Sequence, residues 1–227
     1  VVATARRAEE LASLAAEASG PGKVIAAPAD VTEEAALAAA IARIEAEHGP
    51  IARAFLNAGL YLPVRARPFE ASKFHKSFAV NLGGVVNGLA AILPGMMARG
   101  AGQIAINASV AGYSGLPTSA AYGATKAGLI NMAESLKFDC DNAGVLVQIV
   151  NPGFVKTPAT DTNPFPMPFL QEVEIAARRV LEGMDRAQFE ITFPRRFAYI
   201  LKALGMLPYP VYFALLARAT GWKGKRD

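Results

Sequence analysis

Short runs rich in Val, Ile, Leu and Ala recur along this chain, each followed by a longer stretch with helical spacing. A strand that alternates apolar and polar residues can leave one face in water, whereas a continuously apolar strand must be covered on both faces. The runs read as strands are Lys23–Ala27, Ile51–Leu56, Gly102–Ala108, Val145–Val150 and Phe189–Phe193, and Val1–Ala5 reads as a strand already under way. Between them, helices are predicted over 8–19, 33–47, 77–98, 122–143 and 171–185. Thr32 is the expected N-cap of the second, whose Leu37, Ile41 and Ile44 fall on one face. Gly20-Pro21-Gly22 and Gly49-Pro50 end the first two helices. The alternation predicts one doubly wound α/β domain over 1–193, a parallel sheet with helices on both faces. Residues 194–227 are expected to be an apolar and basic helical extension.

Composition removes several alternatives. With 52% hydrophobic and 19% charged residues in 227, the chain is not disordered as a whole. One cysteine, Cys140, excludes an internal disulfide framework and a multi-cysteine zinc site, so Cys140 reads as a structural thiol. Two histidines, His48 and His75, give a metal little to bind, and no metal is expected. A net charge of +4 over this length is too mild to indicate nucleic acid as a partner. No uninterrupted apolar tract reaches the ~18 residues of a membrane span. The sequence therefore points to an enzyme or ligand-binding domain, expected in the cytoplasm.

In a parallel sheet the ligand sits beyond the carboxyl ends of the strands. Those ends carry Asp30-Val31, Asn57-Ala58-Gly59, Ser109 and Asn151-Pro152-Gly153. At the start of the helix after Ser109 stands Tyr122-Gly123-Ala124-Thr125-Lys126. Residues four apart share a helix face, so Lys126 can set its ammonium near the Tyr122 phenol. A cation there is expected to favour phenolate and make tyrosine a usable general acid or base. The Ser109 hydroxyl could then hold a carbonyl or alcohol beside that phenol.

These residues, with Asn81 in Val80-Asn81-Leu82-Gly83-Gly84 and with Val155 and Thr157 after Pro152-Gly153, resemble the short-chain dehydrogenases/reductases. The likeness spans essentially the whole chain and implies a Rossmann-like fold. It implies Tyr122 as general acid in carbonyl reduction and general base in alcohol oxidation. Lys126 would bind the nicotinamide ribose and lower the tyrosine pKa, while Ser109 would orient the substrate oxygen. Asn81 would open its helix so that a freed carbonyl holds a water beside Lys126. Asp30 and Val31 would meet the adenine, and Asn57, Ala58 and Gly59 the adenosine ribose. Pro152 and Gly153 would give room at the nicotinamide, whose carboxamide Val155 and Thr157 would hold. The family's first strand and Gly-rich turn are not in the sequence given, and such a segment of roughly thirty residues is expected ahead of Val1. Homo-oligomerisation is implied too.

Cofactor choice rests on the end of the first strand, Ala3-Thr4-Ala5-Arg6-Arg7, which carries no acidic residue to accept a ribose hydroxyl. Arg6 and Arg7 can instead clamp a 2′-phosphate, so NADP(H) is expected over NAD(H). Residues 157–170, with Pro158, Pro164, Pro166, Pro168, Phe165, Met167 and Phe169, read as a lid. With Leu116 and Pro117 they predict an apolar carbonyl or alcohol substrate. The extension's clusters around Phe197–Leu207 and Val211–Leu216, flanked by Arg195, Arg196, Lys202, Trp222, Lys223, Lys225 and Arg226, either pack on protein or touch a membrane surface through 197–226. A non-catalytic nucleotide-binding or membrane-associated module on the same fold is the alternative function.

Overall fold

The computed structural model describes residues 1–157, 160 and 167–222. Strands β1 (Val2–Ala3) and β2 (Ile25–Ala26) form one parallel pair. Strands β3 (Arg53–Leu56), β4 (Gly102–Asn107), β5 (Val145–Pro152) and β6 (Glu190–Phe193) form a second sheet, in that order and parallel throughout. The expected single sheet is therefore two hydrogen-bonded sheets among the described residues. Helices α1 (Ala8–Glu17), α2 (Glu34–His48), α3 (Ala71–Phe78), α4 (Gly84–Arg99), α5 (Ala120–Asn142) and α6 (Val173–Met184) alternate with the strands. The extension forms α7 (Arg195–Gly205) and α8 (Tyr209–Ala219).

Side chains of a strand point alternately to its two faces, and the core divides accordingly. Ile104, Ile106, Val145, Val147 and Ile149 pack on one face with Leu37 and Ile41 of α2, Val85 and Leu89 of α4 and Leu129 of α5. Ala105, Val150, Ile191 and Phe193 pack on the other with Ala176 and Met184 of α6. Both faces are covered, as the continuous apolar runs require. Within its apolar run β5 carries the fully buried Gln148, whose Nε2 donates to the Gly183, Arg186 and Gln188 carbonyls at 2.8–3.1 Å. Its Oε1 accepts from Gln103 at 2.6 Å, so the amide ties the end of α6 to the sheet.

Two local expectations are corrected. Thr32 does not cap α2: its amide and hydroxyl both donate to Asp30 Oδ1, at 2.9 and 2.8 Å. A nearby carboxylate outcompetes the helix amides for that hydroxyl. The single helix predicted over 77–98 is α3, a π-helical segment at Ala79–Gly83 and α4 in succession. The rod Ala71–Arg99 is long and apolar enough to cross a membrane by length and composition. Here α4 lies against β3, β4 and α2 instead, as a covering helix of the sheet. Pro158, Pro164, Phe165 and Pro166 of the expected lid, and Lys223, Lys225 and Arg226, lie outside the described residues.

Candidate functional site

Within each sheet the strands are parallel, so their carboxyl ends emerge on one side of it, and the predicted residues Asp30, Asn57, Ser109 and Gly153 follow those ends. Tyr122 lies in the first turn of α5 and Lys126 one turn later, with Lys126 Nζ 5.4 Å from the phenol ring centroid. Lys126 is 2% exposed and donates to the Asn107 carbonyl at 2.6 Å. Burial pulls its ammonium pKa from 10.5 down to about 8. The Tyr122 phenol is pushed above its ordinary value, first by burial and in smaller part by Tyr61, while a hydrogen bond with Ser109 works the other way. That reverses the direction expected from Lys126. Burial disfavours phenolate and ammonium alike, and the lysine already donates to Asn107.

Ser109 is held by its own turn. Its Oγ accepts from the Ala111 amide at 3.1 Å and donates to the Pro152 carbonyl at 3.4 Å, capping a 3-10 turn at Val110–Gly112. That turn presses on α5 at Gly112, where an added Cβ would stand 2.7 Å from the Lys126 carbonyl carbon. Asn81 is fully buried inside the π segment. Its Oδ1 accepts from the Leu60 amide at 2.8 Å, and its Nδ2 donates to the Leu60 carbonyl at 3.0 Å and Thr125 Oγ1 at 3.1 Å. The helix widens into its π-helical turn there, and the Asn81 side chain joins the loop after β3 to α5.

A second group of expected residues follows the first three strand ends. Asp30, held low by its Thr32 hydrogen bonds and in lesser part by Arg6, lies 3.7 Å from the Arg6 guanidinium. Arg7 pairs instead with Glu10, 2.5 Å away on α1. Val31 packs against Gly84, where a Cβ would meet its Cγ2 at 2.6 Å, and its carbonyl accepts from Asn87 at 2.8 Å. Asn57, Ala58 and Gly59 are exposed, with Asn57 Oδ1 accepting from Asn107 Nδ2 at 2.7 Å. Gly153 follows Pro152 and donates to the Phe193 carbonyl at 2.8 Å. Val155 bridges Gln171, and the Thr157 amide donates to Thr160 Oγ1 at 2.9 Å.

Three residues were not singled out from sequence. Tyr61 meets Tyr122 edge to face at 5.2 Å, and its hydroxyl lies 3.0 Å from Thr118 Oγ1. Thr118 has φ 60°, a strained conformation for a β-branched residue, and its carbonyl accepts from Val64 at 2.9 Å. Asn107 links Lys126 to Asn57, and its Oδ1 is buried without a hydrogen-bond partner. Tyr61 and Asn107 could have been found by position, since each is two residues from a strand-end signal.

The family model for short chain dehydrogenase matches residues 1–164. The chain belongs to the short-chain dehydrogenase/reductase family. It is 35% identical to an uncharacterized oxidoreductase of Myxococcus xanthus over 219 residues, covering 96% of this chain and 87% of that one. Among solved structures, a gluconate 5-dehydrogenase from Burkholderia cenocepacia in complex with NADP and tartrate is 32% identical with TM-score 0.66, over 70% of this chain and 63% of that one. A short-chain dehydrogenase from Streptomyces avermitilis shares the fold across 98% of this chain and 86% of its own, with TM-score 0.77 at 22% identity.

A short-chain dehydrogenase binds a nicotinamide dinucleotide, and this site fits one. Lys126 Nζ carries three donors, and its one described hydrogen bond goes to Asn107. Gly59 leaves the approach clear, since a Cβ there would stand 3.6 Å from that nitrogen. The unpartnered Asn107 Oδ1 adds an acceptor beside the same loop. Among the described residues no cluster of His, Cys, Asp or Glu could hold a metal.

Proposed function

We propose that this short-chain dehydrogenase is an NADP(H)-dependent oxidoreductase acting on an apolar carbonyl or alcohol, with Tyr122 as its acid and base. The observation that carries this reading is the convergence of Tyr122, Ser109 and Lys126 at the carboxyl ends of parallel strands, with Asn81 behind them. When bound, the dinucleotide supplies or accepts the hydride. Ser109 holds the substrate oxygen against the Tyr122 hydroxyl, which gives its proton to that oxygen in reduction and takes it back in oxidation. A phenol kept protonated by burial suits the reducing direction, because the proton must be in place before the oxygen gains charge. Lys126 binds the nicotinamide ribose and supplies positive charge as the phenol ionises. Asn81 fixes the π segment and Leu60, which border that lysine.

Arg6 supports NADP(H): it is exposed at the end of β1 beside Asp30, where a 2′-phosphate would find a guanidinium and no acidic residue follows the strand directly. Arg7, committed to Glu10, is the weaker clamp. An apolar substrate is supported by the rings of Phe154, Phe169 and Phe197, spaced 5.6 and 5.9 Å beside Gly153. The homo-oligomer is assigned to an apolar groove of about 480 Å³ between α4 and α5, lined by Val86, Leu93, Met97 and Leu136 among others.

The test is fluorescence titration with NADPH and NADH of protein expressed from its natural start, followed by turnover of apolar ketones and aldehydes. NADPH should bind more tightly than NADH, and Arg6→Ala should weaken NADPH alone. Tyr122→Phe should lower kcat about 10²–10⁴-fold with dinucleotide affinity unchanged. Equal loss of both nucleotides in Arg6→Ala would contradict the NADP(H) assignment, and full turnover by Tyr122→Phe would contradict the role of the phenol.

A further inference from the structure

Charge is unevenly divided along this chain. Residues 194–227 hold seven of its 23 Lys and Arg but one of its 19 Asp and Glu, so they carry +6 while residues 1–193 carry −2. The single acid of that segment is the final residue, Asp227.

The two helices of the extension each bury a narrow stripe. On α7, Phe197, Ala198 and Leu201 pack onto Val110 with Tyr113 and Phe154. On α8, Tyr212 and Leu216 are buried, and the Tyr212 hydroxyl donates to the Gly115 carbonyl and to Ser114. What remains outside is apolar where a surface helix of a soluble domain would be polar. Tyr199, Ile200, Met206, Tyr209, Val211, Phe213 and Leu215 are 45–81% exposed, and the Tyr209 and Phe213 rings stack at 5.9 Å. Arg195, Arg196 and Arg218 are exposed on the same two helices.

We propose that α7 and α8 form a docking surface for an anionic phospholipid bilayer, with the aromatic and aliphatic side chains in the headgroup layer and the three arginines on lipid phosphates. Charge complementarity selects this occupant. A two-fold contact with a second copy would bring the patch against itself, setting Arg195, Arg196 and Arg218 of one copy against the same three arginines of the other, with no acidic residue on α7 or α8 to offset them. The stacked tyrosine and phenylalanine are amphipathic and flat, which suits the boundary between headgroups and acyl chains. The proposal stands independently of turnover, because none of these side chains belongs to the Tyr122 site.

The experiment is co-sedimentation of the full-length protein with vesicles of phosphatidylcholine alone and of phosphatidylcholine with phosphatidylglycerol. Binding to the anionic vesicles, weakening as salt rises, is expected. Arg195→Glu/Arg196→Glu should reduce the partition coefficient about tenfold or more. Met206→Ser/Phe213→Ser should reduce it at every salt concentration with unchanged circular dichroism and melting temperature, since both side chains are exposed. Failure to bind anionic vesicles, equal binding to neutral ones, or indifference to both variant pairs would overturn the proposal. So would light scattering that shows an assembly in vesicle-free solution dissociated by Met206→Ser/Phe213→Ser, which would make a second copy the occupant.

Discussion

Replacing Lys126 with Met sets two effects against each other at one position, because the ammonium assigned to the dinucleotide ribose is also a buried charge. Its folded pKa of about 8 lies below its ordinary 10.5. Between those values the unfolded chain keeps a proton that the native protein has released, so the native state gains stability as pH rises through that window. Below about pH 8 both states hold the proton, and the penalty, on the order of 3 kcal/mol at about 1.4 kcal/mol per unit, is present in full. Lys126→Met removes it but leaves the Asn107 carbonyl without its donor, at about 1–3 kcal/mol. The two proteins should therefore differ little in stability near neutrality, while the parent gains about 2 kcal/mol on the variant by about pH 9.5. Paired urea melts at the two pH values measure this, and parallel pH dependences would contradict the buried, depressed ammonium. Tyr61 acts on the neighbouring phenol in the opposite sense, since it helps hold the Tyr122 pKa high. Tyr61→Phe keeps the edge-to-face ring contact and loses the Thr118 bond. The pH–rate profile for alcohol oxidation should then move to lower pH, and an unmoved profile would exclude electrostatic contact between the two phenols.

At the scale of elements, the 3-10 turn after β4 and helix α5 meet backbone to backbone. Gly112→Ala would put a Cβ 2.7–2.8 Å from the Lys126 carbonyl group, which cannot swing aside as a side chain could. An unfolding cost of about 1–3 kcal/mol is expected, together with a fall in kcat as Ser109 and Lys126 are displaced relative to each other. Thermal melts and single-turnover rates read the two effects separately. Gln148 makes a related point inside β5. Gln148→Leu has nearly the right shape but strips donors from three carbonyls and the partner from Gln103, so it should cost about 2 kcal/mol or more by urea unfolding. The run Val145–Val150 reads correctly as a buried strand from its Val and Leu residues, yet its one amide depends on carbonyls at 183–188 that no local pattern reveals. The same division holds elsewhere. The α2 stripe of Leu37, Ile41 and Ile44 and the strand-end signals Asp30, Asn57, Ser109 and Gly153 are legible because period and punctuation are local. The Asp30–Thr32 competition, the strained Thr118 and the Tyr61 contact depend on which partner is nearer in space.

For the whole molecule, two apolar surfaces are separately testable. The groove between α4 and α5 has an entirely apolar lining that includes Val86, which is 46% exposed. Val86→Glu should lower the mass seen by light scattering without changing vesicle binding, and a change in both would mean the two surfaces are not independent. The extension is meanwhile joined to the loop that follows Ser109, since Tyr212 holds Ser114 and Gly115. Its far end reaches the loop after β3, where the Arg65 guanidinium lies 4.9 Å from the Trp222 ring centroid. Trp222 is the only tryptophan in the chain. This indole is a native probe whose emission reports on the seating of the C-terminal helices beside the loop that leads from Asn57 to Arg65. Quenching on addition of NADPH would record energy transfer from that indole to the nicotinamide, and a spectral shift on addition of vesicles would record the same ring leaving or keeping its place.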